Sequence, residues 1–253
     1  PRNHDGEYFS VLVTRTTATP APGSDDVTRA FEEAWVGTDG YVRPDGTRQR
    51  RALAFQGEVM TRGGTEVSEV FVVDVPDDVT VTFTVAVAGA GDLAGTSTRL
   101  PRPPAGCAQR RLTFTADRRH AGLQGPRHWL RSTPDGGQIA FLMKDDDGVV
   151  QLWTVSPNGG APRQVTRNPW GVASAFSISP DGARVAHVAD NSVFVTDLRT
   201  GASTRLTPRV PDADAPRPEA CVLSPDGSRI AFVRNVPTGG GRWNQVFVVN
   251  VAR

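Results

Sequence analysis

The feature that most constrains this chain is a motif that returns three times in phase: LRSTPDGGQIAF from Leu130, FSISPDGARVAH from Phe176 and CVLSPDGSRIAF from Cys221. Its aspartates, Asp135, Asp181 and Asp226, stand 46 and 45 residues apart. A fixed period outranks local propensity, because one repeat unit cannot bury its apolar face alone and must be stacked on its neighbours. Within the motif Ser or Thr opens a turn, Pro fixes the φ of the next position and Gly accepts the positive φ that follows a type I turn. Leu130, Phe176 and Cys221 precede this turn, and the β-rich segments 139–141, 185–187 and 230–232 follow it, so the motif joins two antiparallel strands. Third strands follow at 151–155, 192–196 and 245–249, each with an aromatic at its centre, and fourth strands end in Arg111-Leu112-Thr113, Gln164-Val165-Thr166 and Arg205-Leu206-Thr207. Four short strands in roughly 45 residues are the size of a propeller blade. The expected class is all-β: a β-propeller of four-stranded antiparallel blades, about four of them visible, forming the C-terminal part of a six- or seven-bladed ring and carrying a short inserted helix.

The succession S-P-D-G, I-A-F, Q-L-W-x-V and G-G-x-P-R-Q-V-T resembles the WD40-like PD repeat of TolB-like propellers over residues 110–253. R-N-H-D-G-E-Y-F at 2–9, A-F-E-E-A-W-V-G at 30–37 and R-A-L-A-F-Q-G at 51–57 are similar to a bacterial family of TolB-like propellers known as a domain of unknown function. That resemblance implies further blades upstream and supplies no catalytic residues.

The chain divides into one partial propeller over 1–253: a decorated blade at 1–113 with insertions at 18–50 and 86–110, then blades at 114–167, 168–207 and 208–253. Residues 3–13 read as the turn and second strand of the first of these, with 52–57 and 69–74 as its later strands. In the first insertion Ser24 precedes Val27, Ala30, Phe31, Ala34 and Trp35, a spacing of three and four that predicts a capped helix over 25–35. Phe31, Glu32, Glu33 and Trp35 would then form a lid over one face of the propeller.

Charge excludes one class of function. Twenty-eight basic and 27 acidic residues are interspersed along the chain, which denies it the basic face of a nucleic-acid binder. No run of about 18 apolar residues encodes a transmembrane helix. Two cysteines, Cys107 and Cys221, are too few for a disulfide framework. The chain opens at Pro1, so its natural amino terminus is expected upstream and the compartment, cytoplasm or periplasm, stays open. The sequence has no G-x-S-x-G, no G-x-x-x-x-G-K-[ST] and no H-E-x-x-H, and Asp145-Asp146-Asp147 lacks the alternating ligands of a calcium loop. No cofactor and no metal is expected.

Counting seven residues back from each repeat aspartate gives His128, Ser174 and Glu219, placed at one mouth of the central channel with Arg127 beside them and Arg2, Asn3 and His4 contributed by the preceding blade. These are the ligand-binding candidates, with no catalytic residue among them, because equivalent positions on successive blades stand too far apart for a hydrolytic triad. His187 aligns with Phe141 and Phe232, and Cys221 with Leu130 and Phe176, which makes both core residues. The leading expectation is a non-catalytic scaffold for a protein or peptide partner. The alternatives are a small-ligand protein or enzyme using the channel mouth, and the gating propeller of a prolyl-oligopeptidase-like protease.

Overall fold

The computed structural model describes residues 11–79, 101–126, 130–219 and 221–251. They form consecutive antiparallel sheets, each read from an inner to an outer strand. The first contains β1 (Val27–Trp35), then a small hairpin of β2 (Tyr41–Val42) and β3 (Arg48–Gln49) set apart from it, then β4 (Ala52–Met60), β5 (Glu66–Asp74) and β6 (Ala108–Arg111), in the order β1-β4-β5-β6. The second contains β7 (Arg131–Ser132), β8 (Ile139–Lys144), β9 (Val150–Val155) and β10 (Arg163–Gln164). The third contains β11 (Ser177–Ile178), β12 (Arg184–Ala189), β13 (Ser192–Asp197) and β14 (Ser203–Arg205). The last has three strands among the described residues: β15 (Val222–Leu223), β16 (Arg229–Thr238) and β17 (Gly241–Asn250). The first strands β1, β7, β11 and β15 lie side by side in that order, so the sheets radiate from a common line as propeller blades do.

Each S/T-P-D-G segment is the turn between a blade's first and second strands. The amides of Gly136, Gly182 and Gly227 donate to the carbonyls of Thr133, Ser179 and Ser224, and the three glycines have φ of 75°, 73° and 68°. The aspartate closes the turn: Oδ1 of Asp135 accepts from the Thr133 hydroxyl and the Gly137 amide, and Asp181 and Asp226 repeat this with Ser179 and Ala183, and with Ser224 and Ser228. These bonds hold all three carboxyls below the usual carboxylate range, the side-chain hydroxyl acting most strongly.

The recurring Leu/Val-Thr ending has an equally local cause. The amides of Leu112, Val165 and Leu206 donate to the carbonyls of Val70, Leu152 and Val193, and the next residue, a threonine, turns its hydroxyl back onto the same third-strand residue. The Oγ1 atoms of Thr113, Thr166 and Thr207 accept from the amides of Val70, Leu152 and Val193 at 2.8, 2.9 and 3.0 Å. Thr113 and Thr166 also donate to the side chain one position earlier, Glu69 and Gln151. Both are fully buried, as are Glu69 and Gln151.

Between sheets the contact is apolar. Val70, Val72 and Leu112 of the first sheet meet Ile139, Phe141 and Trp153 of the second. Leu142, Leu152 and Val165 meet Phe176, Val185 and Leu198. Val193 and Val195 meet Cys221, Ile230 and Phe232. In the last sheet the positions that face forward in the others, Val246 and Val248, are 73% and 62% exposed, whereas Val193 and Val195 are 0% and 8%.

The structure corrects one element. Residues 27–35 form β1, the first strand of their blade, and the helix expected over 25–35 is absent; a 3-10 turn at Asp212–Asp214 is the helical element among the described residues. The cause is two β-bulges. The register of β1 against β4 steps from Val27↔Val59 to Arg29↔Glu58 and from Phe31↔Gln56 to Ala34↔Ala54. A strand returns to one face every two residues, and each bulge adds one, so Val27 and Ala30, like Phe31 and Ala34, share a face at a spacing of three. That spacing imitates a helix. His187 and Cys221 are fully buried, as their alignment with core positions implies. Burial pushes the Cys221 thiol up to about 12, leaving it inert.

Two outcomes follow. Thr166→Val keeps the shape but leaves the Leu152 amide and the Gln151 side chain short of a buried partner, which lowers unfolding free energy by about 1–3 kcal/mol in urea titrations, with Thr166→Ser recovering most of it. Burial holds His187 at about 4 against an ordinary 6.5, so the unfolded chain takes up this proton first and stability falls as pH drops from 6.5 to 4, by roughly 3 kcal/mol in all. His187→Phe, the residue of the equivalent Phe141 and Phe232, flattens the unfolding profile most clearly in the upper part of that window, between pH 6.5 and about 5, before ordinary carboxylates begin to protonate.

Candidate functional site

The channel-mouth residues expected from the repeat divide into three groups. Arg2, Asn3, His4, Arg127 and His128 lie outside the described residues. Ser174 is fully buried, its hydroxyl accepting from the Val188 amide at 2.8 Å and donating to the Ala175 carbonyl. Both bonds tie it to backbone, so it is a strand-positioning residue. Glu219 is partly exposed and pairs with Arg217, two residues away, at 3.2 Å. The two segments do adjoin, since the Ala175 amide donates to the Pro218 carbonyl, but the Ser174 hydroxyl is committed elsewhere.

The residues expected to form a lid, Phe31, Glu32, Glu33 and Trp35, lie on β1, a strand paired to β4. Glu32 occupies the second bulge with φ of 54°, a left-handed conformation that costs a non-glycine residue roughly 1–2 kcal/mol. Its charge acts on Arg131 of the neighbouring first strand, whose guanidinium burial pushes down. Trp35, at the end of β1, leaves its indole 59% exposed.

Beyond Trp35 the chain is fixed against the next blade. The Ser132 hydroxyl donates to the Trp35 carbonyl at 3.0 Å and accepts from the Gly37 amide at 2.6 Å, and the Thr38 amide donates to the Pro134 carbonyl. Gly136, in the repeat turn, must be glycine here because a Cβ would stand 2.0 Å from the Gly40 carbonyl oxygen. Where the other blades have the S/T-P-D-G turn, this one has the β2–β3 hairpin, whose tip, Arg43-Pro44-Asp45-Gly46, uses the same turn chemistry.

A buried polar cluster pins that hairpin. Tyr41 Oη donates to Asp74 Oδ1 at 2.9 Å, and Arg110 donates to Asp74 Oδ2 at 2.8 Å and to Tyr41 Oη at 2.6 Å. Arg43 reaches Asp74 Oδ2 at 3.3 Å. Gln49 Nε2 donates to the Arg51 and Val75 carbonyls, closing the cluster over the end of β5. Burial, followed by the Asp74 hydrogen bond, raises the Tyr41 phenol, which therefore stays neutral.

The result is a hollow of about 410 Å³ lined by the end of β1 and the two ends of the hairpin, Trp35, Asp39, Arg50, Arg51 and Asp77 among its residues. Arg48 donates to the Asp39 carbonyl at 2.9 Å and Arg51 to the Asp77 carbonyl at 2.7 Å, so the rim is held by charge-to-backbone bonds. No serine, cysteine or histidine lines it, and no group of three or more metal-ligating side chains forms among the described residues. Such a surface can hold an apolar side chain against the indole and satisfy backbone amides and carbonyls around it. Sequence reasoning picked out Trp35 but placed it on a helix, and passed over the hairpin, although Arg43-Pro44-Asp45-Gly46 between two β-prone stretches is a turn signal.

Architecture and repeat together define a β-propeller built of four-stranded antiparallel blades. Its particular likeness is to the uncharacterised protein YidR of Escherichia coli (strain K12), 43% identical over 244 residues, or 96% of this chain and 54% of that protein. The chain thus spans about half the length of this relative. No protein-family model matches it. Among solved structures it is similar to TolB from Acinetobacter baumannii (18% identity, 84% of this chain and 43% of that one, TM-score 0.43) and to a TolB homologue from Agrobacterium tumefaciens (19%, 87% and 62%, 0.41). It is also similar to the Pyrococcus horikoshii acylaminoacyl peptidase (10%, 85% and 31%, 0.46). Identities and TM-scores this low carry no activity across. No helix of the described residues is long and apolar enough to cross a membrane.

The cluster that shapes the hollow is testable. Asp74→Asn removes the charge that two arginines and a tyrosine share; because both arginines are more than a third exposed, the loss is about 2 kcal/mol in chemical denaturation, below the 3–5 typical of a fully buried pair.

Proposed function

We propose that the chain is a non-catalytic interaction scaffold that holds a short stretch of another polypeptide in the hollow beside Trp35. The observation that carries this reading is the tryptophan itself: a large aromatic left more than half exposed at a strand end, lining a hollow together with Asp39, Arg50, Arg51 and Asp77. Tryptophan and arginine are the residues in which binding energy concentrates at protein interfaces, and an anchor held in place before binding loses little entropy when a partner arrives. The hairpin's pinning by Asp74 supports the same reading, since it holds the β2–β3 hairpin whose two ends, at Gly40 and Arg50, line the hollow. Mixed charge on the rim suits a peptide backbone and its side chains better than a strongly charged ligand.

A peptide-display selection against the immobilised protein tests it. Enriched peptides should share one large apolar residue and bind Trp35→Ala at least 30-fold more weakly, the size of an interface hot spot of about 2 kcal/mol, while Phe114→Ala, which alters an exposed aromatic elsewhere, leaves them unchanged. Peptides indifferent to Trp35→Ala, or no enrichment at all, would overturn the reading.

A further inference from the structure

Asn158-Gly159 is the one asparagine-glycine pair in the chain. It lies in the turn between β9 and β10, exposed to water, and its side chain reaches out of the second sheet to the first blade: Asn158 Nδ2 donates to the carbonyl of Val42, on β2, at 2.8 Å. Among the described residues this is the hydrogen bond that ties the β2–β3 hairpin to the second sheet, since the hairpin's other bonds stay within the first blade. Asparagine before glycine is the pair in which the following backbone nitrogen most readily reaches the side-chain carbonyl, because no Cβ stands in the way. The turn leaves room for that approach, with nothing within 4 Å of where a Cβ would stand on Gly159 or Gly160.

The reaction needs no enzyme. The Gly159 nitrogen bonds to Asn158 Cγ and gives up its proton, the Cγ–Nδ2 bond breaks and ammonia leaves. Water then opens the five-membered imide at either carbonyl, giving aspartate or isoaspartate. In the folded chain both reacting groups are engaged: the Gly159 amide donates to the Ser156 carbonyl at 2.9 Å, and the Asn158 side chain is held by Val42. The hairpin contact therefore slows the reaction, and the reaction destroys the contact, because its product sets an oxygen acceptor against the Val42 carbonyl where a donor stood before. We infer that Asn158 is a spontaneous modification site whose conversion releases the β2–β3 hairpin from the second sheet, a one-way covalent change timed by the opening of a single contact.

Peptide mapping by mass spectrometry tests this on the whole chain, aged at mildly alkaline pH and physiological temperature, with hydrogen exchange over residues 41–49 as a second readout. Asn158 should convert before any other asparagine, and at least about fivefold faster in urea than in the folded chain, the factor set by one hydrogen bond of about 1 kcal/mol. Freshly made Asn158→Asp should exchange its hairpin amides faster than fresh wild type by about the same factor, with the third sheet unchanged. Ageing should raise hairpin exchange in the wild type and leave it constant in Asn158→Gln, which separates Asn158 from the Asp45-Gly46 pair of the hairpin tip. Conversion of Asn158 no faster than that of the other asparagines, equal rates in urea and in the folded chain, unchanged hairpin exchange in Asn158→Asp, or equal ageing of wild type and Asn158→Gln would each overturn the inference.

Discussion

Everything in this structure depends on each sheet burying its face against the next. A four-stranded sheet of six-residue strands has too little apolar surface to be stable alone, and the forward-facing pairs Val70 and Val72, Leu152 and Thr154, and Val193 and Val195 are where each sheet meets its successor. The alanines Ala54 and Ala186, opposite the second member of their pairs, share a core cluster with the neighbouring sheet's Phe141 and Phe232, which fits the recurrence of Ile-Ala followed by a ring. Interlocking of this kind works only if the strands stay in register. The threonine that follows each fourth strand holds register at low cost, spending its hydroxyl on a third-strand amide that would otherwise be buried without a partner.

Legibility followed the same division. The turns, the second and third strands and the Leu/Val-Thr endings could be read because each is set by chemistry within a few residues: a proline, a glycine with positive φ, an alternating apolar run. What escaped was set by contacts distant in sequence. Bulges in β1 depend on pairing with β4 some 25 residues away, and their effect on spacing copies the period of a helix. Ser174 and Glu219 were located by counting along the repeat, yet a count conveys position and nothing about the bonds a side chain makes. The Ser174 hydroxyl is tied to backbone, and Glu219 answers to the adjacent Arg217.

Departures from the repeat cluster where it has something other than packing to do. Glu32 accepts strain in mid-strand, the β2–β3 hairpin replaces a turn, and a charged cluster is buried around Asp74. Local rules broken against a regular background are the places to look for activity, since a repeat under selection for packing alone would erase them. The structure therefore supplies its own reference: three versions of each position against which the fourth can be judged.

Among the described residues no strand pairs with the outer side of β17, and an edge left that way has a colloidal consequence. The strand's ten residues pair, among the described residues, with β16, and Trp243, Val246 and Val248 are exposed. A long, flat, apolar edge is a template on which a further strand can be laid, and nothing in its backbone discriminates a correct strand from an incorrect one. Wherever this edge is left uncovered, the limit on the protein's useful concentration is set by strand addition between molecules, with the folding stability of any single molecule having little to do with it.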